Sequence, residues 1–367
     1  MIRPTGEIVL PISDFGDHRK QRACWLAFKH RRKAVAIMLR AAFRIMRGRH
    51  LERYLRRDAV VIRMPELAAK HMVSGRQPQE CGEAVSATRC HTQSPHRWLR
   101  RAAVPAGRPI CLFVTYSPDG RFWPHVLNYM KQLKQQEFHV CLIAATDRQD
   151  LGLCDPGPRF ADAVLVKKNE GFDFACWALA LSSEPDFWQA GLLLLANDSV
   201  YGPFKSFPGI VREILEADAD FIGLTESFEI CQHYQSYFIA MKGEALANAA
   251  MRRFWAEIKC FEDKTQVVRA YEIGLTRCAL AAGLRTKALF PCPQHHTRSR
   301  SNQLVYDWRG LIERGMPFVK VSVLRDAGWG PKYAGWRELL REHGYDDDLV
   351  SFHLGAVKPD TPVLYVS

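Results

Sequence analysis

Between residues 108 and 300 short apolar runs alternate with stretches of helical period. The runs 110–116 (ICLFVTY), 138–145 (FHVCLIAA), 163–167, 191–196 (GLLLLA), 220–224 (DFIGL) and 236–241 (SYFIAM) read as strands. Helices are expected near 122–135, 172–183, 205–217, 244–258 and 264–283. This alternation is the signature of an α/β fold, a mainly parallel sheet with helices on both faces. A run as continuous as Leu192–Ala196 implies burial on both sides. Residues 301–367, rich in Gly and aromatics with one clear helix at 334–343, form an extension expected to pack on that domain.

The first 107 residues follow no such pattern. Only 23–47 reads as a helix, in which Trp25, Phe28, Val35, Leu39, Phe43 and Met46 interleave with Lys29, Arg31, Arg32, Lys33, Arg40, Arg44 and Arg47. A cationic amphipathic helix suits an anionic membrane surface, and equally a solvated helix lying on the main domain. From 65 to 107 Pro, Gly, Ser, Gln, His and Arg dominate without period. The expected organisation is therefore a basic arm (1–64), a linker (65–107), a catalytic-size domain (108–300) and the extension (301–367).

Charge sharpens this division. The formal net charge is +12, but residues 1–107 carry 22 Lys+Arg against 8 Asp+Glu, which leaves the remainder at −2. A basic surface running through the whole protein is excluded, and no nucleic-acid partner is expected. The 11 cysteines are scattered and contain no Cys-x-x-Cys pair, which rules out zinc ribbons and thioredoxin-type motifs. Cys292 with His295 and His296 lacks the second pair a zinc site needs. No signal-peptide pattern and no apolar run of about 18 residues is present. The expectation is a cytoplasmic protein, peripheral on the inner membrane face if the arm docks there.

In open parallel sheets ligands sit beyond the carboxyl ends of the strands. Here those ends carry Thr115-Tyr116-Ser117, Thr146-Asp147, Asn169-x-Gly171-x-Asp173, Asn197-Asp198-Ser199 and Thr225-Glu226-Ser227. Five polar or acidic ends in a row point to a polar ligand. Gly171 permits a tight turn that a ligand can approach, and a helix begins directly after it. Asn169 or Asp173 could equally be a plain helix cap. Asp198 follows a buried run, so its carboxylate is expected at the rim of the sheet, where a Mg²⁺ or Mn²⁺ ion bound to a diphosphate could use it. An Asx-turn leading into Val200 is the alternative. Val268, Glu272, Leu275 and Ala279 share one helical stripe, which places a carboxylate on an apolar face. Burial there would raise its pKa, as suits a general base; at a helix start it would merely favour the dipole.

Lys168-Asn169-x-Gly171-x-Asp173 with Trp177, then LLLLANDSVYGPF, DFIGLTES, HYQSYFIAM, YEIGLT, PFVKVSVLRD and GYDDDLVSFHL, resemble the rhamnan synthesis protein F family of bacterial polysaccharide glycosyltransferases. The resemblance spans roughly 108–355 and rests on motifs occurring in order. It implies a GT-A-like fold and transfer of a sugar, rhamnose for instance, from a nucleotide-diphosphate donor to a polysaccharide or lipid-linked acceptor, with inversion. By that parallel Thr115, Tyr116, Asp147, Asn169, Gly171, Asp173, Asn197 and Ser199 would bind the donor, and Asp198 the divalent cation. Glu272 would be the base, with Glu226, Ser227, His233 and Gln235 near the acceptor. The sequence departs from the usual pattern by offering one carboxylate in Asn197-Asp198-Ser199 where an Asp-x-Asp motif offers two. Sugar-phosphate transfer in the same cleft is a rival, as is a non-catalytic carbohydrate-binding protein that keeps the fold.

Overall fold

The computed structural model describes residues 89–293, 302–325 and 334–357. The chain divides into Met1–Gln77 and Pro78–Ser367, and every described residue belongs to the second unit. The amphipathic stretch 23–47, the linker up to residue 88, and His295 and His296 lie outside the described residues.

The apolar runs become the centre of one sheet. Its strands are β1 (His96–Arg100), β2 (Pro109–Tyr116), β3 (His139–Thr146), β4 (Ala163–Lys168), β5 (Leu192–Asn197), β7 (Phe221–Ser227), β9 (Phe238–Met241) and β10 (Thr286–Phe290). The order across the sheet is β1-β4-β3-β2-β5-β9-β7-β10. Strands β4, β3, β2 and β5 are mutually parallel, and β7 and β10 run the same way, while β1 and β9 run against them. This is the expected α/β fold, its sheet mixed at two places. The short strand β8 (His233–Tyr234) pairs with β7, and β6 (Val200–Tyr201) pairs separately with β11 (Val319–Lys320).

Alternation along the strands builds two cores. Ile110, Leu112 and Val114 of β2 face helix α1 (Phe172–Ser183), whose Phe174, Trp177 and Leu181 are buried with Trp255, Tyr271 and Leu275. Trp177 donates its indole N–H to the Leu112 carbonyl at 3.0 Å, fixing the helix to the strand. Cys111 and Phe113 face the other layer, with Tyr129, Phe207 and Phe318. A third cluster joins Tyr201 and Phe204 to Trp308, Ile312, Val319, Leu340 and Tyr345 of the C-terminal segment.

Two boundaries differ from expectation. Residues 96–100 were expected within the linker but form β1, antiparallel to β4. An edge strand needs one covered face only, so HRWLR, with just Trp98 and Leu99 apolar, carries no visible run. The helix expected at 264–283 is interrupted by a π-helical turn at Val268–Glu272 before helix α2 (Ile273–Ala281) resumes the α pattern.

Candidate functional site

The chain leaves β2 through β3 and β4 on one side and returns to β5 on the other. The ends of β2 and β5 therefore flank the point where the winding reverses, the usual ligand crevice of such sheets. Asp198 lies there. Its backbone N–H is bonded to the Val114 carbonyl at 3.2 Å, and its Oδ2 accepts from the Thr115 hydroxyl at 2.5 Å and the Tyr116 N–H at 3.1 Å. Both donors use Oδ2, and among the described residues no other residue donates to Oδ1. The Asx-turn alternative belongs to Asn197 instead, whose Oδ1 accepts from the Ser199 N–H at 3.1 Å and hydroxyl at 2.6 Å.

Asn197 also reaches the first turn of α1, donating to Asp173 Oδ2 at 2.9 Å. Burial and then the charge of Asp198 push the Asp173 carboxyl up to about 7. Burial raises Asp198 as well, against the Thr115 and Tyr116 hydrogen bonds. Asp173 is thus bonded to Asn197 and lies within reach of the Asp198 charge. Neither Asn169 nor Asp173 caps the helix: Gly171 precedes it with φ +74° and no side-chain cap. Gly171 is also required by packing, since a Cβ there would lie 2.6 Å from Ala175 Cβ and 2.8 Å from Cys260 Cα.

The loop before α1 is held from beneath by Lys167. This lysine is fully buried and donates to the carbonyls of Lys168 at 2.8 Å and Glu170 at 2.6 Å. Above it, Asn169 donates to Asp147 Oδ1 at 3.0 Å, and the Tyr116 hydroxyl donates to the other Asp147 oxygen. That contact, more than burial, pushes the Tyr116 phenol up to about 12. Thr115, Tyr116, Asp147, Asn169 and Asp198 are therefore one hydrogen-bonded network, and Asp173, Asn197 and Ser199 a second, the two adjoining along the chain at Asn197-Asp198.

Glu272 is bonded to the segment that carries β8 and leads into β9. Its Oε2 accepts from the Ser236 hydroxyl at 2.5 Å and its Oε1 lies 3.2 Å from His233 Nε2. Burial pushes the carboxyl up, but the His233 and Ser236 hydrogen bonds and the charges of His233 and Lys320 outweigh it, so Glu272 sits below the ordinary range. The expected upward shift is overturned because a carboxylate given charged donors is favoured over the acid. Asp173 feels the charge of both Asp198 and Glu272, which ties the two halves into one electrostatic unit.

Three of the residues expected near an acceptor turn inward. Glu226 accepts from Gln232 Nε2 at 2.8 Å and the Cys292 N–H at 2.9 Å. Ser227 is buried and accepts from the Glu229 N–H at 3.3 Å. Gln235 is bonded to Thr225 at 2.9 Å and to Asn302 at 3.4 Å. They shape the loop after β7. His233 alone among the four meets the acidic cluster. Lys320, on β11, is the cation that reading strand ends overlooked, because it arrives from the C-terminal segment.

The profile of rhamnan synthesis protein F matches residues 142–366. The chain belongs to that family. For this rhamnan synthesis protein F family member the matched span contains Asp147, Asn169, Asp173, Asp198, Glu272 and Lys320, while Thr115 and Tyr116 precede it. The chain is 22 % identical over 281 residues to virulence protein VirA of Vibrio anguillarum, covering 66 % of this chain and 88 % of VirA. It is 25 % identical over 161 residues to the uncharacterised protein y4gN of Sinorhizobium fredii, covering 42 % and 41 %. Among solved structures it is similar to a glycosyltransferase involved in glycosylation of the major capsid of PBCV-1, with TM-score 0.31, 10 % identity and coverage of 58 % and 94 %. It is also similar to the mannosyltransferase PcManGT of Pyrobaculum calidifontis, solved with GDP-Man and Mn²⁺, with TM-score 0.29, 9 % identity and coverage of 72 % and 80 %. Superpositions this loose carry no argument about the site. Among the described residues no helix is long and apolar enough to cross a membrane.

Proposed function

We propose that this rhamnan synthesis protein F family member is a glycosyltransferase that moves a sugar from a nucleotide-diphosphate donor to a polysaccharide or lipid-linked acceptor with inversion. The observation that carries the reading is the acidic rim at the reversal point of the sheet, where Asp198 is held by Thr115 and Tyr116 and Asp173 by Asn197, with Glu272 near enough for its charge to act on Asp173. The three come from a helix start, a strand end and a π-helical turn, yet Asp173 senses the charge of both others. π-helical turns recur at functional sites. Rhamnose as the donor sugar belongs to this proposal, as do Tyr116, Asp147 and Asn169 as donor-binding groups.

Glu272, held ionised by His233 and Ser236, would accept the proton of the acceptor hydroxyl as that oxygen attacks the anomeric carbon. Each Glu272 oxygen keeps a further lone pair for this. Asp198 and Asp173 would hold a divalent cation: both carboxyls are raised by burial, Asp173 also by its neighbour's charge, and bringing a cation between them would relieve that repulsion. When bound, the ion supplies neutralisation of diphosphate charge. The basic arm would bring the protein to an anionic membrane face, where lipid-linked acceptors are found.

A panel of nucleotide-sugars, assayed for transfer with and without Mg²⁺ or Mn²⁺, tests the reading. Transfer from at least one donor is expected, with Glu272→Gln lowering the rate roughly 10²- to 10⁴-fold. No transfer and no binding of any donor would favour the carbohydrate-binding alternative, and full activity in Glu272→Gln would remove the base assignment.

A further inference from the structure

Several lysines of the described chain are at least partly withdrawn from water, and the partners of two of them, Lys167 and Lys242, are backbone carbonyls. Lys167 donates to two carbonyls, and Lys242 to those of Ile214 at 2.9 Å, Leu215 at 2.9 Å and Ala217 at 2.6 Å. Lys320 differs. It is partly buried, yet among the described residues its ammonium makes neither a hydrogen bond nor an ion pair. Taking a charged donor out of water without partners is costly, so an unpartnered ammonium at this depth is poised for a ligand.

Its position is fixed. Lys320 faces Val200 in the β6–β11 ribbon, and the next residue, Val321, donates its N–H to the Ser199 carbonyl at 2.9 Å. Val319 anchors the ribbon in the third core beside Tyr201 and Trp308. The backbone of Lys320 is therefore bound to the residues directly after Asp198. Burial is the main influence that lowers the proton affinity of its amine, and the neighbouring Lys264 adds to it, while Glu272 and Glu229 oppose. Lys264 also acts on Asp173, and Lys320 on Glu272. Two cations thus stand within electrostatic reach of the carboxylates, and among the described residues neither is neutralised by a direct contact.

We propose that Lys320, with Lys264 beside it, is the cationic seat of the donor's diphosphate and takes up the charge on the departing oxygen. This rests on the glycosyl-transfer reading above. In the step, the acceptor oxygen bonds to the anomeric carbon and its proton goes to Glu272. The bond from that carbon to the β-phosphate oxygen breaks, and its electron pair leaves on the phosphate, facing the Lys320 ammonium. A lysine serves phosphate as a point charge with three donors, which tolerates the movement of a leaving group. A role confined to balancing Glu272 would not distinguish one phosphate from two.

That difference is the test. Uridine, guanosine and thymidine diphosphates and the matching monophosphates are titrated calorimetrically into wild type, Lys320→Met, Lys320→Arg and Lys264→Met, each with and without Mg²⁺. Thermal melting checks that the variants are folded. Wild type should prefer at least one diphosphate over its monophosphate about tenfold or more. Lys320→Met should lose roughly 10- to 100-fold in diphosphate affinity, as for a hydrogen bond to a charged group, while monophosphate affinity stays within about threefold. Lys320→Arg should keep most of the preference, and the exposed Lys264→Met should lose a smaller part of it. Should Lys320→Met not fold, Lys320→Gln carries the same comparison. An unchanged ratio in Lys320→Met would overturn the assignment while leaving the donor site in place. If wild type binds none of the nucleotides, the glycosyl-transfer reading falls with it.

Discussion

Consider His233→Ala, which removes one donor from Glu272 and can be studied without any substrate. The Nδ1 of His233 lies 2.8 Å from the Cys231 carbonyl oxygen, which can only accept, so Nδ1 carries a hydrogen. A neutral imidazole would then turn the lone pair of Nε2 toward Glu272 Oε1 at 3.2 Å. Only the imidazolium donates on both sides. Burial pulls the His233 pKa down, but the hydrogen bonds to Glu272 and Cys231 and the charges of Glu272 and Glu229 more than reverse that, so it is raised above 6.5.

The sign of the pH dependence follows from the two shifts. His233, raised, contributes stability fully present below about 6.5 and lost as pH rises through its folded value. Glu272, lowered, contributes stability present above about 4.5 and lost as pH falls through its folded value. The pair therefore gives a plateau between these limits. His233 is 4 % exposed and Glu272 18 %, so screening is modest, and Ser236 still serves Glu272 after the change. The coupling is then about 1.5–3 kcal/mol, the value for hydrogen bonds to charged groups, and not the larger cost of a wholly stranded charge. Urea unfolding of wild type, His233→Ala, Glu272→Gln and the double variant gives that coupling directly. It should reach its full value at pH 6 and fall below about 0.5 kcal/mol at pH 9 as the imidazolium is lost. Equal coupling at the two pH values would refute the charged pair.

Two further outcomes bear on the start of α1. The Asp173 carboxyl, raised from 3.8 to about 7, costs stability progressively as pH rises through about 7. In EDTA, Asp173→Asn should melt higher than wild type at pH 8.5, by one to a few kcal/mol after allowance for its partial exposure, and should not differ at pH 4; a variant less stable at both pH values would contradict the burial and repulsion argued for it. Gly171→Ala forces a Cβ to within 2.6 Å of Ala175 Cβ and 2.8 Å of Cys260 Cα at φ +74°, so a loss of about 1–3 kcal/mol is expected in denaturant unfolding. Wild-type stability in that variant would mean the loop can shift away from Cys260.

How much of this was legible follows from where each residue gets its constraint. LLLLA of β5 and CLFV of β2 are buried on both faces, so the chain must write them as unbroken apolar runs. Their parallel ends then locate Thr115, Asp147, Asn169, Asp173, Asn197 and Asp198 on one rim. β1 and β10 stayed hidden because HRWLR and TKALF are partly covered and mix basic with apolar residues. The partnership of Asp173 with Asp198 was invisible because it spans a crossover of 25 positions and depends on which strands are neighbours. Lys167 looked like the polar end of a strand, although its stem is buried and its ammonium folds back to the loop carbonyls. Lys320 belongs to a ribbon made by two residues on each side, too short for any period to announce it.

The opposite shifts of Glu272 and Asp173 tell what the scaffold does with acids of the same kind. Both are withdrawn from water, so solvent alone would raise both. Glu272 is given a serine hydroxyl and an imidazolium, each directed at a different oxygen, and stays ionised. Asp173 is given one amide, from Asn197, and a like charge nearby, and holds a proton to about pH 7. Environments that drive two carboxyls apart separate their chemistry. The ionised one is free to accept a proton at neutral pH, while its lowered pKa makes it a weaker base than the raised carboxyl expected from the sequence. The other sits with Asp198 where added positive charge would be most strongly welcomed, and the donors are arranged so that neither acid can take the other's part.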